Sequence, residues 1–167
     1  MSYFVTGATG FIGRYLVSNL LKRKGSVHVL VRKSSIKKLN TIGEQMNWDM
    51  KRIVPVTGDL SKPKLGLSAA QCTALKGKIQ HFFHLAAIYD MSADAESQKI
   101  ANIDGTKHAL ELAALIKAGC FQHASSIAAA GLYPGVFRED MFDEAEGLKD
   151  PYLKTKHESE GLVRNQT

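Results

Sequence analysis

Three clusters of residues in this chain have types and spacings suited to chemistry. The first is Thr6-Gly7-Ala8-Thr9-Gly10-Phe11-Ile12-Gly13, directly after the apolar run Tyr3-Phe4-Val5. A strand, a glycine-rich turn and a helix start, in that order, let backbone N–H groups and a helix N-terminus face a pyrophosphate. The second is Ser125-Ser126 at the end of an apolar run, where a hydroxyl can hydrogen-bond a substrate carbonyl. The third is Tyr152-Leu153-Lys154-Thr155-Lys156, a Tyr-x-x-x-Lys pair. Residues four apart on a helix share a face. A phenol is a poor acid–base catalyst at its ordinary pKa of about 10, and a neighbouring ammonium favours the phenolate. Together the clusters predict a nucleotide cofactor and proton transfer at a carbonyl.

The glycines are spaced G-x-x-G-x-x-G, and Gly7, Thr9, Gly10, Phe11, Ile12 and Gly13 are the expected cofactor contacts of this turn. The next apolar run ends in Val31-Arg32-Lys33. An acidic residue here would bind a ribose 2′-OH, whereas a guanidinium pairs with a 2′-phosphate. NADP is therefore expected rather than NAD, with Arg32 as the first contact and Lys38 assisting from the following helix. Asp59, with Leu60, follows a third run, where its carboxylate either accepts the adenine amino hydrogens or caps a turn. Leu85, Ala86 and Ala87 follow a fourth run, and the small residues there let a cofactor ribose approach the backbone.

Short apolar segments at Tyr3–Thr6, Val27–Arg32, Arg52–Val56, His81–Leu85 and Phe121–Ala124 alternate with helical patterns at Ile12–Lys24, Ile36–Met46, Ser68–Leu75 and Ala95–Lys117. That order predicts an α/β fold, a doubly wound parallel (Rossmann-type) sheet with strand order 3-2-1-4-5. Gly131–Asp150 reads as loop. A last helix should start at Asp150-Pro151, with Asp as N-cap and Pro in the first position. A doubly wound nucleotide fold is expected to continue into a sixth strand beyond that helix. The expectation is a single NAD(P)-binding reductase domain over 1–167, the N-terminal fragment of a longer polypeptide.

The chain has 167 residues and a hydrophobic fraction of 44%, enough for one domain with a sizeable core. No apolar stretch is long enough to span a bilayer. The N-terminus enters a strand without a basic segment and cleavage site, and Cys72 and Cys120 lie in unrelated contexts. A cytoplasmic protein with both thiols reduced is expected. The net charge of +6 reads first as a solvated surface that happens to be basic; the alternative is a field that attracts anionic ligands such as a phosphorylated cofactor or a coenzyme A ester. No basic stripe with interleaved aromatics points to nucleic acid. The six histidines form no metal-ligand pattern; His81 and His84 point to opposite faces of one strand, and His157 reads as a surface residue.

On these motifs the chain resembles the extended branch of the short-chain dehydrogenase/reductase superfamily. T-G-A-T-G-F-I-G, Asp59-Leu60, His84-Leu85-Ala86-Ala87, Asn102-Ile103-Asp104-Gly105-Thr106, Ser125-Ser126 and Tyr-x-x-x-Lys all carry the resemblance. The runs His84–Met91, Ser125–Gly131 and Phe137–Asp140 make it most similar to reductase domains of fatty acyl-CoA reductases and related thioester reductases. The likeness is greatest to the N-terminal part of two-domain bacterial alcohol-forming enzymes. The resemblance implies reduction of a fatty acyl-CoA or fatty aldehyde by NADPH. In it Ser126 orients the carbonyl, Tyr152 delivers the proton, and Lys156 tunes the tyrosine and holds the nicotinamide ribose. A homodimer through the 95–117 and Tyr152 helices is also implied. Sugar-nucleotide epimerases and dehydratases of the same branch are the alternative. They commonly carry Tyr-Gly where this chain has Ala130-Gly131, which weighs against them. A non-catalytic cofactor sensor would often lack the Tyr/Lys pair.

Overall fold

A computed structural model describes residues 2–88 and 94–166. Five parallel strands form one sheet: β1 (Ser2–Thr6), β2 (Ser26–Val31), β3 (Ile53–Thr57), β4 (Ile79–His84) and β5 (Cys120–His123). Their order is β3-β2-β1-β4-β5, the doubly wound arrangement expected from the sequence. The helices between them are α1 (Phe11–Leu21), α2 (Ile36–Gln45), α3 (Ala69–Leu75), α4 (Ala95–Gln98) and α5 (Gly105–Leu115), and α6 (Pro151–Arg164) follows the last strand.

Period-two alternation sends neighbouring side chains of β1 to opposite faces. Tyr3 and Val5 join Val17 and Leu20 of α1 and Leu39 and Ile42 of α2 in one core. Phe4 and Phe82 join Leu75 of α3 and Leu112 and Ile116 at α5 in the other. Burial on both faces explains why the central strands are continuously apolar. The Phe4 and Phe82 rings stack with centroids 4.6 Å apart across the β1–β4 pair. Strand order reverses at that pair, where Thr6 and His84 lie side by side at the C-terminal ends. Such a switch point opens the crevice in which doubly wound sheets bind ligands.

The structure corrects one element. The helix expected over Ala95–Lys117 is interrupted by a π-helical stretch at Lys99–Asp104 between α4 and α5. Hydrophobic spacing does not register a single wider turn, because the apolar face resumes beyond it. The start of α6 follows expectation: the Asp150 carboxylate accepts the Tyr152 and Leu153 N–H groups at 2.8 and 3.2 Å, and Pro151 occupies the first position. Residues 131–150 are mostly loop, fastened to themselves by a bridge between Gly131 and Glu146.

Candidate active site

The glycine turn is shaped by backbone clearance. Gly7 has φ +73°, a left-handed conformation that costs other residues energy, and a Cβ there would lie 2.7 Å from the Ala86 nitrogen. A Cβ on Gly13 would lie 2.1 Å from the Gly7 oxygen. Gly13 is therefore the point where α1 rests on the turn, a packing position rather than a wall of the site. Gly10 stands as N-cap of α1 and gives no side-chain hydrogen bond to the helix's first N–H groups.

Over this turn lies a cleft of about 520 Å³. Gly7, Thr9 and Gly10 form its floor, Arg32 and Ser35 flank it beyond β2, Asp59 and Leu60 beyond β3, and Leu85, Ala86 and Ala87 beyond β4. Nine of the residues singled out from the sequence thus share one cavity. Phe11 and Ile12, at the start of α1, are 75% and 64% exposed and do not line it. Lys38 is exposed on α2, also outside the lining. Arg32 and Asp59 also border a second cleft, of about 580 Å³, with Lys33, Ser34 and Lys62. The two readings left open for Asp59 are compatible: its carboxylate caps the turn, accepting the Ser61 N–H and O–H at 2.9 Å each, while facing both clefts. Those hydrogen bonds, helped by the charges of Arg32 and Lys62, hold its pKa below the usual carboxylate range against the opposing effect of burial.

The reacting candidates lie beyond β5, at the same C-terminal end of the sheet. Ser126 caps a 3₁₀ turn at Ile127–Ala130, its Oγ accepting the Ala128 N–H at 3.2 Å. Helix α6 packs on that turn. Its buried face carries Tyr152, Thr155, Lys156 and Ser159. Lys156 is only 3% exposed and donates from Nζ to the Ala124 oxygen at 3.0 Å. Burial lowers its pKa, with Glu160 opposing. Ser125 donates to the Glu160 carboxylate, which also accepts from Arg164 at 2.8 Å. Burial alone would raise the pKa of Glu160, but these hydrogen bonds and the Arg164 charge lower it.

His157 is half-buried rather than a free surface residue. Its Nδ1 lies 2.9 Å from the Ala129 oxygen and its ring stacks on Phe142 with centroids 4.2 Å apart, so it fastens α6 to both the 3₁₀ turn and the 131–150 loop. Asn102 is a second residue to which the sequence assigned no role beyond a motif match. Its Oδ1 accepts the Ile88 N–H at 2.8 Å, and its Nδ2 donates to the Ile88 oxygen at 3.3 Å and to Thr155 Oγ1 at 3.2 Å. From inside the π-helical stretch it thus ties the segment after β4 to the helix bearing Tyr152 and Lys156. A π-turn at such a place often marks a functional site. Of the run His84–Met91, Tyr89, Asp90 and Met91 lie outside the described residues. Among the described residues no group of three potential metal ligands converges. No helix among them is long and apolar enough to cross a membrane.

A glycine cradle at the switch point, a nucleotide-sized cleft and a Tyr/Lys helix packed on a serine-capped turn define an extended short-chain dehydrogenase/reductase domain. The chain belongs to the male sterility protein family (NAD_binding_4), which it matches over residues 5–167; this is a family of NAD(P)-dependent oxidoreductase domains. It is similar to the terminal R domain of the myxalamid PKS-NRPS biosynthetic pathway, with a TM-score of 0.85 and 31% identity over 98% of this chain and 45% of that one. It is 32% identical, over 95% of its length, to part of a linear gramicidin synthase from Brevibacillus parabrevis, of which it spans 3%. It is 28% identical, over 92% of its length, to a putative fatty acyl-CoA reductase of Drosophila melanogaster, of which it spans 30%.

Proposed function

We propose that this domain reduces an acyl thioester or aldehyde with NADPH, and that its substrate is a fatty acyl-CoA or fatty aldehyde taken toward the alcohol. One observation carries this reading: Tyr152 and Lys156 share the buried face of α6, which packs on the turn capped by Ser126. When bound, the nicotinamide supplies hydride to the carbonyl carbon. The residues around the glycine turn fit the dinucleotide, since Gly7, Thr9, Gly10, Ala86 and Ala87 line the cleft with small side chains or none. Arg32, exposed and bordering both clefts, is the group that would pair with a 2′-phosphate.

The remaining steps belong to the chain. Ser126 accepts the Ala128 N–H, which leaves its own O–H available to donate to the substrate oxygen. Tyr152 gives the proton to the developing alkoxide: an aldehyde then becomes the alcohol, whereas a thioester becomes a hemithioacetal that expels its thiol and leaves an aldehyde for a second NADPH to reduce. Lys156, buried and donating from Nζ to Ala124, lies one turn from Tyr152 on the same helix face, where its ammonium would favour the phenolate and hold the cofactor ribose. The excess of basic residues favours an anionic thioester carrier. The likeness to terminal R domains of peptide synthetases supports a second presentation of the same chemistry, a thioester bound to a carrier protein. A cytoplasmic location and a homodimer through α5 and α6 belong to the same proposal.

Tyr152→Phe tests it. The variant should bind NADPH normally and lose turnover; turnover that survives would remove Tyr152 from the mechanism.

A further inference from the structure

Behind the candidate site runs a chain of buried hydrogen bonds whose proton directions are fixed. The Thr106 hydroxyl donates to the Asn102 backbone oxygen at 2.6 Å. A hydroxyl has one hydrogen, so Thr106 Oγ1 meets His84 Nε2, 3.1 Å away, as an acceptor. Nε2 therefore carries the ring proton. Nδ1 is then the acceptor, and the Thr6 hydroxyl, 2.8 Å away, donates to it. Thr6 Oγ1 in turn accepts the Ala86 N–H at 3.2 Å. The order is Ala86 N–H to Thr6, Thr6 O–H to His84, His84 N–H to Thr106, and Thr106 O–H to the Asn102 carbonyl. Each donor is used once.

The other half of the chain leaves Asn102 by its side chain, which donates to Thr155 Oγ1, and the Thr155 hydroxyl donates to the Tyr152 backbone oxygen at 3.1 Å. Thr6, His84, Asn102, Thr106 and Thr155 are each no more than 4% exposed. In a medium of low dielectric such a chain is rigid when every member is satisfied and costly when one is removed. It begins one residue before the glycine turn, passes through Ala86 in the cofactor cleft, and ends on the backbone of the proton donor.

We propose that His84, held as the neutral Nε2–H tautomer between Thr6 and Thr106, is a positioning residue that fixes the Tyr152 helix relative to the cofactor-binding turn. It is buried and lines neither cleft; it acts through Thr106 and Asn102. Burial, with the nearby His123 and Lys156, lowers its pKa to about 3, in agreement with the neutral ring that the proton count requires. The proposal rests on Tyr152 being the proton donor, and its test separates the two.

The first readout is the ring nitrogens of His84 in the intact chain, followed by NMR with ¹⁵N-labelled histidine between pH 5.5 and 7.5. A protonated Nε2 and a bare Nδ1 are expected; an Nδ1–H tautomer overturns the proposal. The second is a pair of substitutions, Thr106→Val, which keeps the shape and loses the hydroxyl, and Thr106→Ser, which keeps the hydroxyl. In Thr106→Val the Tyr152 ring resonances should move and carbonyl-dependent kcat should fall roughly ten- to hundredfold, as for a small misplacement of a reacting group. The NADPH Kd should stay within about twofold, and Thr106→Ser should restore both signals. Unmoved Tyr152 resonances overturn the proposal whatever the activity. If Thr106→Val does not fold, Thr6→Val breaks the chain at its other end and is read the same way. Loss of resonance coupling with Tyr152→Phe inactive would sink the positioning role alone. Tyr152→Phe fully active with the coupling intact would sink the reaction assignment alone.

Discussion

The two sides of the nucleotide edge are built by different means. On the β1–β3 side the cavity floor is backbone: Gly7 and Gly10 form it, and the clearance between Gly7 and Gly13 decides its shape. On the β4–β5 side the candidates are side chains, each held by a residue from a distant segment: Lys156 by Ala124, Thr155 by Asn102, and His157 by Ala129. A backbone cradle is insensitive to side-chain chemistry but intolerant of an added carbon atom. A side-chain site tolerates small changes of volume but fails when one hydrogen-bonding group is lost. Substitutions on the two sides should therefore fail in different ways.

Tyr152→Phe should show the largest effect, a fall in kcat of about 10²- to 10⁴-fold with NADPH affinity kept, measured by steady-state kinetics and cofactor titration. Gly13→Ala should do the reverse. Its Cβ meets backbone that has no room to yield, so NADPH binding should be lost, with a destabilisation of about 2–4 kcal/mol in urea unfolding. A Gly13→Ala chain that binds NADPH normally would show that the cradle is more pliant than its contacts imply. Arg32→Glu should weaken NADPH by roughly ten- to hundredfold while leaving NADH little changed, since a charge-assisted pair to the 2′-phosphate would be replaced by repulsion. Equal losses for both nucleotides would deny Arg32 a role in discrimination.

Acid should weaken the β4–β5 side first. His84 and His123 stack with centroids 5.5 Å apart at the ends of those strands. Burial is the main cause that lowers their pKa values, to about 3 and about 4. Between those values and the unfolded value of about 6.5 the unfolded chain binds more protons than the folded one. Stability is therefore complete above about pH 6.5 and falls as the pH drops toward 4, by at most about 1.4 kcal/mol per pH unit for each histidine. Urea unfolding at a series of pH values measures the slope. The smallest effect separates the two rings. Both His123 nitrogens are buried without a hydrogen-bond partner among the described residues, whereas both His84 nitrogens are satisfied. His123→Phe should flatten the acid slope and change stability at pH 7 by about 1 kcal/mol or less, toward greater stability. A loss of several kcal/mol would mean that His123 makes contacts of greater value than its ring shows.

The contrast also explains what was legible in the sequence. The sheet order and the shared cleft over the glycine turn could be anticipated because a strand, a glycine turn and a helix lie within a dozen residues, and because Arg32, Asp59 and Ala86 each follow a short apolar run. Asp150 and Pro151 gave the start of α6 for the same local reason. The π-helical stretch was not legible, since Asn102 leaves the helical line to reach Ile88 and Thr155, neither of them its neighbour in sequence. His157 was misread because its partners, Ala129 and Phe142, come from the turn and loop that precede its helix. Phe11, Ile12 and Lys38 share segments with cleft-lining residues but do not themselves line the cleft, a distinction that motif spacing does not make.

The central claim is reduction of a thioester or aldehyde carbonyl by NADPH at the Ser126/Tyr152/Lys156 face. The most direct measurement is NADPH oxidation with a long-chain fatty aldehyde and, separately, with the matching acyl-CoA, using the longest form of the protein that expresses. Oxidation coupled to alcohol or aldehyde formation, and lost in Tyr152→Phe, is the predicted result. NADPH that binds but is not consumed with either substrate would contradict the fatty reductase reading and leave a cofactor-binding domain whose carbonyl substrate lies elsewhere.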